Sequence, residues 1–283
     1  MLRKFSLLTA FLLTVLYVQA QGFKFGVHVD PMISLMASND KKNVAPNGAN
    51  MAFGFGVEME YYFSDGENYA FTFGGNFALN KGGKLNYEDG GKIFMRSELD
   101  NEMYINNRTN ISANVSQTPG TELPLVAGTN VRYNINYIEV PFGLKLRTNE
   151  LGQSYLRAFF HLPIVTVGVP VSARGTVDAP RTTGSVTPPP GYYTPEISKG
   201  ENIYKDINFL QLSLGTGAGV EYAPNEDGGL RLVGGFYYNY GFIDTVKKNQ
   251  LFDDITDPNA PTFKENKART GFHNIGLRIG IIF

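Results

Sequence analysis

Charged side chains recur at alternate positions in several segments of this 283-residue chain, opposite positions that are mostly apolar. Carboxylates set beside cations can serve as a proton relay, or can form an ionic network without a chemical role. The candidates are Lys24, Lys145, Arg147, Arg157, Arg231 and Arg278, with Asp30, Glu58, Glu60, Glu139 and Glu221. This near-balance of charge favours pairing, because an unpaired buried charge is strongly destabilising. We therefore expect a paired ionic network, with a proton relay as the alternative.

The other groups that could do chemistry lack the spacing that their reactions need. The glycines of segment 215–219 alternate along a strand-like segment with no following helix, which excludes a dinucleotide-binding turn. Three isolated residues lack metal-ligand spacing: His28, His161 and His273. Three acids lack the regular spacing of a calcium loop: Asp253, Asp254 and Asp257. We expect no catalytic residue, cofactor or bound metal.

Composition narrows the class of protein. The chain has no cysteine, which excludes disulfide scaffolds and thiolate sites, and its net charge of -1 disfavours nucleic-acid binding. Charged residues make up only 18% and glycine numbers 32. Little charge with abundant glycine and aromatics is typical of many-stranded β-proteins.

The first residues carry an export signal. Arg3 and Lys4 precede an apolar run over 5–18, and Ala20 ends a small-residue cleavage motif. This pattern predicts a signal peptide, 1–20, cleaved after Ala20, and a single barrel domain over 21–283. The apolar run is too short to favour an uncleaved membrane anchor, which is the alternative.

Eight later segments alternate apolar and polar residues with the period of β-strands. They begin near Phe23, Met51, Tyr69, Ile138, Leu156, Leu210, Leu230 and Asn274. In the fifth, Ile164 is assigned to the apolar face, although the pattern reverses near Pro163, where we expect either a bulge or a strand end beyond the membrane. On the polar faces, glycines such as Gly217 and Gly219 are expected to make room for the long cationic side chains.

The connections between these segments alternate long and short: 38–48, 65–68, 88–133, 150–153, 178–206, 225–229 and 247–270. Alternation places every long loop at one end, as in outer-membrane barrels. Aromatic residues of the apolar face cluster near the short turns: Phe23, Phe63, Tyr69, Tyr222 and Phe283. We expect the apolar face to contact lipid and the charges to be enclosed. A water-soluble carrier with an apolar interior is the alternative.

The five best-matching segments resemble the PorT-like outer-membrane β-barrel family of Bacteroidota. They are FKFGVHVDPMISLM, EYYFSDGENYAFTFGGNF, INYIEVPFGLKLRTNELG, INFLQLSLGTGAGVEY and GLRIGIIF. The family takes its name from a component of the type IX secretion system, so the resemblance implies a non-enzymatic role associated with protein export. The terminal Phe283 resembles the assembly signal of Gram-negative outer-membrane barrels, which implies the barrel-assembly machinery as a partner.

The sequence thus predicts an all-β, eight-stranded antiparallel up-and-down transmembrane β-barrel with long extracellular loops. We expect it in the bacterial outer membrane, with both termini periplasmic and outer-membrane lipid around it. A protein partner is expected to bind loops 88–133 and 178–206, because binding residues concentrate on long loops. The alternatives are a porin-like barrel that passes small solutes and an outer-leaflet lipid enzyme.

Overall fold

A computed structural model describes residues 22–63, 67–88, 91–94, 122–125, 128–152, 155–178, 198–224, 229–247, 252–253, 264–265 and 268–283. In chain order the strands are β1 (Phe23–Ser38), β2 (Val44–Tyr62), β3 (Tyr69–Tyr87), β4 (Gly91–Phe94), β5 (Glu122–Leu125), β6 (Thr129–Arg147), β7 (Leu156–Asp178), β8 (Ser198–Asn202), β9 (Gln211–Tyr222), β10 (Arg231–Gly241), β11 (Phe252–Asp253), β12 (Lys264–Glu265) and β13 (Thr270–Ile282). A 3-10 turn spans Tyr204–Asp206. None of these residues belongs to a helix long and apolar enough to cross a membrane.

Eight long strands close into a ring. Each pairs antiparallel with its neighbours in the order β1, β2, β3, β6, β7, β9, β10, β13 and back to β1. Val29 shows the closure, since it is paired with Phe55 of β2 and with Ile279 of β13. The predicted eight-stranded antiparallel up-and-down barrel is confirmed.

The barrel has two unlike ends. The turn end holds the connections β2–β3, β6–β7 and β9–β10 together with both ends of the barrel chain, where Phe25 and Phe283 exchange backbone hydrogen bonds of 3.0 and 2.8 Å. The loop end holds the remaining connections. Several strands reach further toward it than predicted: 44–48 belong to β2, 129–133 belong to β6, and β8 lies inside the predicted loop 178–206. Assigning 129–133 to a loop was therefore wrong.

A band of exposed apolar side chains surrounds the barrel from the turn end upward. On β2 it runs over alternate residues from Phe63 to Met51, with Val57 at its middle and 53% exposed. The twelve residue-to-residue steps from Met51 to Phe63, on a strand tilted by about 40°, rise about 30 Å, the thickness of a bilayer's hydrocarbon core. Aromatic pairs lie at its lower edge, with ring centroids 4.7 Å apart for Phe23–Tyr61 and 6.2 Å for Phe63–Tyr69. We call this surface the apolar band.

Four strands continue well beyond the apolar band and reverse its polarity. We call these parts the tall wall: 44–50 of β2, 80–87 of β3, 129–137 of β6 and 172–178 of β7. Its outward side chains are polar, such as Asn130, Arg132 and Asn134 of β6, while Val131, Tyr133 and Ile135 between them are fully buried. In β3 a register shift between Ala78 and Lys81, with Asn80 at φ 61°, accompanies the reversal.

The tall wall encloses an apolar core at the loop end. Segments outside the barrel strands complete it, because Ile203, Ile207, Val246 and Ala268 pack against residues such as Leu85 and Tyr133. The backbone N–H of Ile203 donates to the carbonyl of Ala173 (3.1 Å), and Ile207 forms a β-bridge with Val246. This core fills the barrel interior at the loop end.

Of the two possibilities predicted at Pro163, the structure shows the bulge, because β7 continues through this residue, and the bulge changes one assignment. The β7–β9 register shifts between His161 and Ile164. Leu162 therefore faces outward, whereas Ile164 is only 5% exposed and points inward. Placing Ile164 on the lipid-facing surface was wrong, because strict alternation does not continue through a bulge.

Candidate functional site

The inward positions of the turn half carry a connected group of ion pairs around Lys145. Its ammonium group binds Glu60 and lies 2.5 Å from the carboxylate of Glu221. All three side chains are almost completely buried. One cation between two carboxylates leaves a local charge of -1, which draws further cations to the same place.

Arg147 supplies one of those cations. Its guanidinium lies 3.1 Å from Glu221 and 3.4 Å from Glu60, and 4.2 Å above the ring of Tyr62. The Tyr62 hydroxyl in turn donates to Glu60. Arg231 also approaches Glu221, at 3.8 Å.

Glu67 joins this group from the β2–β3 turn, although the sequence indicated only a turn there. Its carboxylate lies 2.9 Å from Lys24, 3.7 Å from Arg157 and within hydrogen-bonding reach of Arg231. Burial favours the neutral acid, but hydrogen bonds from Lys24 and Arg231 outweigh it and lower the pKa of Glu67. Glu67 thus covers the turn end of the interior with a carboxylate that stays ionised.

The mouth cluster is our name for this whole group: Lys24, Glu60, Glu67, Lys145, Arg147, Glu150, Arg157, Glu221 and Arg231. Glu150 is its most exposed member and lies 3.2 Å from Arg157. The sequence pattern could not show that the Glu67 side chain lies near the barrel interior, because residues of a hairpin turn do not alternate between two faces as strand residues do.

Three charges form a second group higher in the barrel. Arg278 binds Asp30 with two parallel hydrogen bonds of 2.9 Å and Glu58 with one of 2.6 Å. Its guanidinium lies 4.4 Å above the ring of Tyr237, and His28 contacts Asp30 at 3.0 Å. This two-pronged geometry is the strong form of a charge-assisted hydrogen bond.

Glu139 pairs with a cation that strict alternation along the strand did not predict to face inward. It pairs with Lys81, whose ammonium group lies 4.7 Å from the centroid of the Phe272 ring. Lys81 follows the register shift of β3, so an uninterrupted alternation places it on the wrong face.

Among the described residues, the ion pairs of the mouth cluster, the Arg278 group and the Lys81–Glu139 pair contain equal numbers of cations and anions; Asp206, fully buried at the loop end, lies outside this set. Seven cations, namely Lys24, Lys81, Lys145, Arg147, Arg157, Arg231 and Arg278, face seven anions, namely Asp30, Glu58, Glu60, Glu67, Glu139, Glu150 and Glu221. The structure thus places each of the eleven charges singled out from the sequence in an ion pair. Lys81, Glu67 and Glu150 complete the set.

Aromatic rings fill the space beside the glycines. A Cβ atom added to Gly217 would lie 2.5 Å from the Tyr237 ring, and one added to Gly219 would clash with the carbonyl oxygen of Gly234 and lie 2.7 Å from Phe159. Gly217 therefore accommodates a ring and Gly219 accommodates both a backbone and a ring, and the expectation that they make room for cationic chains was wrong at both positions. A cavity of about 40 Å³ remains beside Glu58, Glu139 and Arg278, enough for a few water molecules.

The described residues offer little else for chemistry. No cluster of three or more His, Asp or Glu residues among them could hold a metal ion. His161 donates or accepts a hydrogen bond with Thr72 at 2.6 Å, and His273 does so with Tyr238 at 2.7 Å. The arrangement can neutralise buried charge and hold the strands in register.

The other predicted sites are described in part. Phe283 lies at the turn end with 43% of its surface exposed. Of the two predicted partner loops, 89–90, 95–121, 126–127 and 179–197 lie outside the described residues, as do the signal peptide and Asp254 and Asp257.

Comparison with known proteins gives a family. The model of the outer membrane protein beta-barrel domain matches residues 19–247. No curated protein sequence matches the chain.

Solved structures give remote likenesses. Neisserial surface protein A is 14% identical over 90% of this chain and 96% of its own, with a TM-score of 0.32. Ail, the attachment invasion locus protein of Yersinia pestis, is 12% identical over 91% and 97%, with a TM-score of 0.31. The outer membrane protein OprG from Pseudomonas aeruginosa is 10% identical over 92% and 96%, with a TM-score of 0.36. With scores this low, the fold rests on the strand pairing itself.

Proposed function

Because the chain belongs to the outer membrane protein beta-barrel domain family, we propose that it is a non-enzymatic outer-membrane barrel that binds a partner at its loop end. The observation that carries this proposal is that the described residues fill the barrel interior in both its halves. Paired charges occupy the turn half, and the apolar core occupies the loop half. The surface left for function is the outside of the loop end.

The filled interior supports binding over solute passage. A porin-like barrel, the alternative, needs a continuous aqueous path, and wide channels belong to barrels with more strands. Here the described residues leave a cavity of about 40 Å³ between Glu58 and Glu139, and Ile203 and Val246 pack into the core above it.

The tall wall supports a protein partner. β3, β6 and β7 carry the predicted partner loops, because 88–128 joins Tyr87 to β6 and the second loop begins where β7 ends at Asp178. The resemblance to the PorT-like family supports placing this partner in type IX protein export. The short turns that share one end of the barrel with Phe25 and Phe283 support placing that end on the periplasmic side and the long loops outside.

Affinity purification from detergent-solubilised outer membrane tests the proposal. The bait is the tagged full chain, compared with a variant in which 98–118 and 182–195 are replaced by short Gly/Ser linkers. We expect a protein that co-purifies with the full chain and is lost from the variant. Equal recovery of that protein with both baits would show that the loops are not part of the interface. In a separate experiment, altered lipid A in a deletion strain would favour the lipid enzyme.

A further inference from the structure

A groove of about 310 Å³ opens on the outer surface of the barrel at the loop end, opposite the tall wall. It lies where β1, β10 and β13 end, and its walls include Asn39, Tyr240, Arg269 and His273. Its volume is at the lower end of the roughly 300–1,000 Å³ of small-molecule sites. Neither the enclosed ion pairs nor the predicted partner loops account for it.

Small residues create the groove. Ala37 of β1 is paired with Gly271 of β13, and together they form a floor without bulky side chains. Beside this floor the rings of Tyr240 and His273 lie 4.9 Å apart, and the Tyr238 hydroxyl holds His273 Nδ1 at 2.7 Å. One wall is therefore a fixed aromatic surface.

The groove adjoins the upper edge of the apolar band. Leu35 and Ile275 are exposed just below it, and Tyr238 and Tyr240 are exposed on β10. Tyrosines at such an edge occupy the headgroup region of a membrane. A ligand in the groove can therefore extend acyl chains down the band.

The upper wall is polar and carries an exposed cation, Arg269. The backbone N–H of Arg269 donates to Asn39 Oδ1 (2.6 Å) and its carbonyl accepts from the Asn39 N–H (3.1 Å). This fixes the Arg269 backbone and leaves its side chain exposed. Lys41 and Lys42 are exposed on the adjoining turn, so among the described residues around the groove three cations, Arg269 included, stand against two acids, Asp40 and Asp244.

We propose that this groove binds the phosphate-bearing sugar headgroup of an outer-leaflet lipid. The Arg269 guanidinium contacts the phosphate, since it can donate two parallel hydrogen bonds to it. Tyr240 and His273 offer the sugar an aromatic face with polar edges. The proposal rests on the outer-membrane location in the proposed function, and it names a lipid partner in addition to the protein one.

Binding to purified, folded barrel in detergent tests the proposal, with lipid A as the probe and native mass spectrometry as the readout. Arg269→Gln removes the cation, Ala37→Phe fills the floor, and Arg174→Gln on the tall wall is the matched control. We expect the first two to weaken lipid A binding at least tenfold and Arg174→Gln to leave it unchanged. Equal binding by all three variants would overturn the proposal.

Two further probes identify the ligand chemistry. Dephosphorylated lipid A should bind the unaltered chain at least tenfold more weakly, and glucosamine 1-phosphate, which lacks acyl chains, should bind more weakly still. Undiminished binding of either probe would overturn the phosphate or the lipid assignment respectively. Heat-modifiable gel mobility measures the folded fraction of each variant. Insertion into lipid vesicles tests the membrane location separately, so failure of the groove and failure of the proposed function are distinguishable.

Discussion

Buried charges in this barrel are neutralised by several partners at once. Glu221 serves Lys145, Arg147 and Arg231 at once, and its side chain is 1% exposed. Removing such a carboxylate leaves buried cations with too little compensation, whereas exposed pairs contribute little. The position of an ion pair in the interior therefore decides its importance to stability.

The substitution Glu221→Gln should lower the free energy of unfolding by about 3–5 kcal/mol, because it leaves Lys145 and Arg147 undercompensated in a buried site. The same change at Glu150, whose side chain is 44% exposed, should cost less than about 1 kcal/mol. Urea unfolding in lipid vesicles, followed by circular dichroism and gel mobility, measures both. Equal losses would mean that water reaches the mouth cluster.

Glu67 should make stability depend on pH in the acid range. Its pKa is lowered in the folded barrel, so its contribution is present above the ordinary value of about 4.5 and is lost as pH falls through the lowered pKa. Glu67→Gln should flatten the fall in unfolding free energy below pH 4.5. An unchanged slope in the variant would contradict the role given to Lys24 and Arg231.

Among the residues, period two was informative wherever a strand is regular. It places Glu58, Lys145 and Arg278 on inward positions because each lies in an unbroken alternating stretch. The pattern did not predict that Lys81 faces inward, because a register shift precedes it in β3. It did not predict this for Glu67, because a turn has no period. Which carboxylate meets which cation depends on strand stagger, and a single strand's pattern carries no information about stagger.

The strands of the tall wall pass through two environments. Each has apolar residues outside over the band and inside above it, and in β6 this happens without a bulge. Alternation alone cannot show the change, because it reports that two faces differ and not which solvent each one meets. The eight strands and their order could be predicted from the sequence, but the height of the lipid boundary on the wall could not.

An arginine scan can locate that boundary. Val57→Arg, at the middle of the apolar band, should lower stability by about 2–4 kcal/mol. Thr176→Arg, outward on the tall wall, should change it by less than about 0.5 kcal/mol. Unfolding in vesicles of defined thickness measures the two. Comparable costs would contradict the reversal of polarity.

In the whole molecule, as far as its residues are described, two kinds of interior fill the barrel: ion pairs in the turn half and an apolar core in the loop half. We expect the purified barrel to show no conductance steps in a planar lipid bilayer, because Ile203, Ile207 and Val246 fill the loop half and paired charges the turn half. A bacterial porin reconstituted in the same bilayer is the control. A steady single-channel current from this chain would favour the porin alternative over a barrel with a filled interior.

The unequal height of the strands gives the barrel a front and a back in the plane of the membrane. β2, β3, β6 and β7 stand above the lipid surface on one side, whereas β1, β10 and β13 end close to it on the other. A neighbouring protein that diffuses in the membrane therefore meets the tall wall on one side of the barrel and the shorter strands β1, β10 and β13 on the other. Contacts with neighbours in a crowded membrane would then depend on how the barrel is rotated about its own axis. Copies that cluster would adopt a preferred rotation relative to one another.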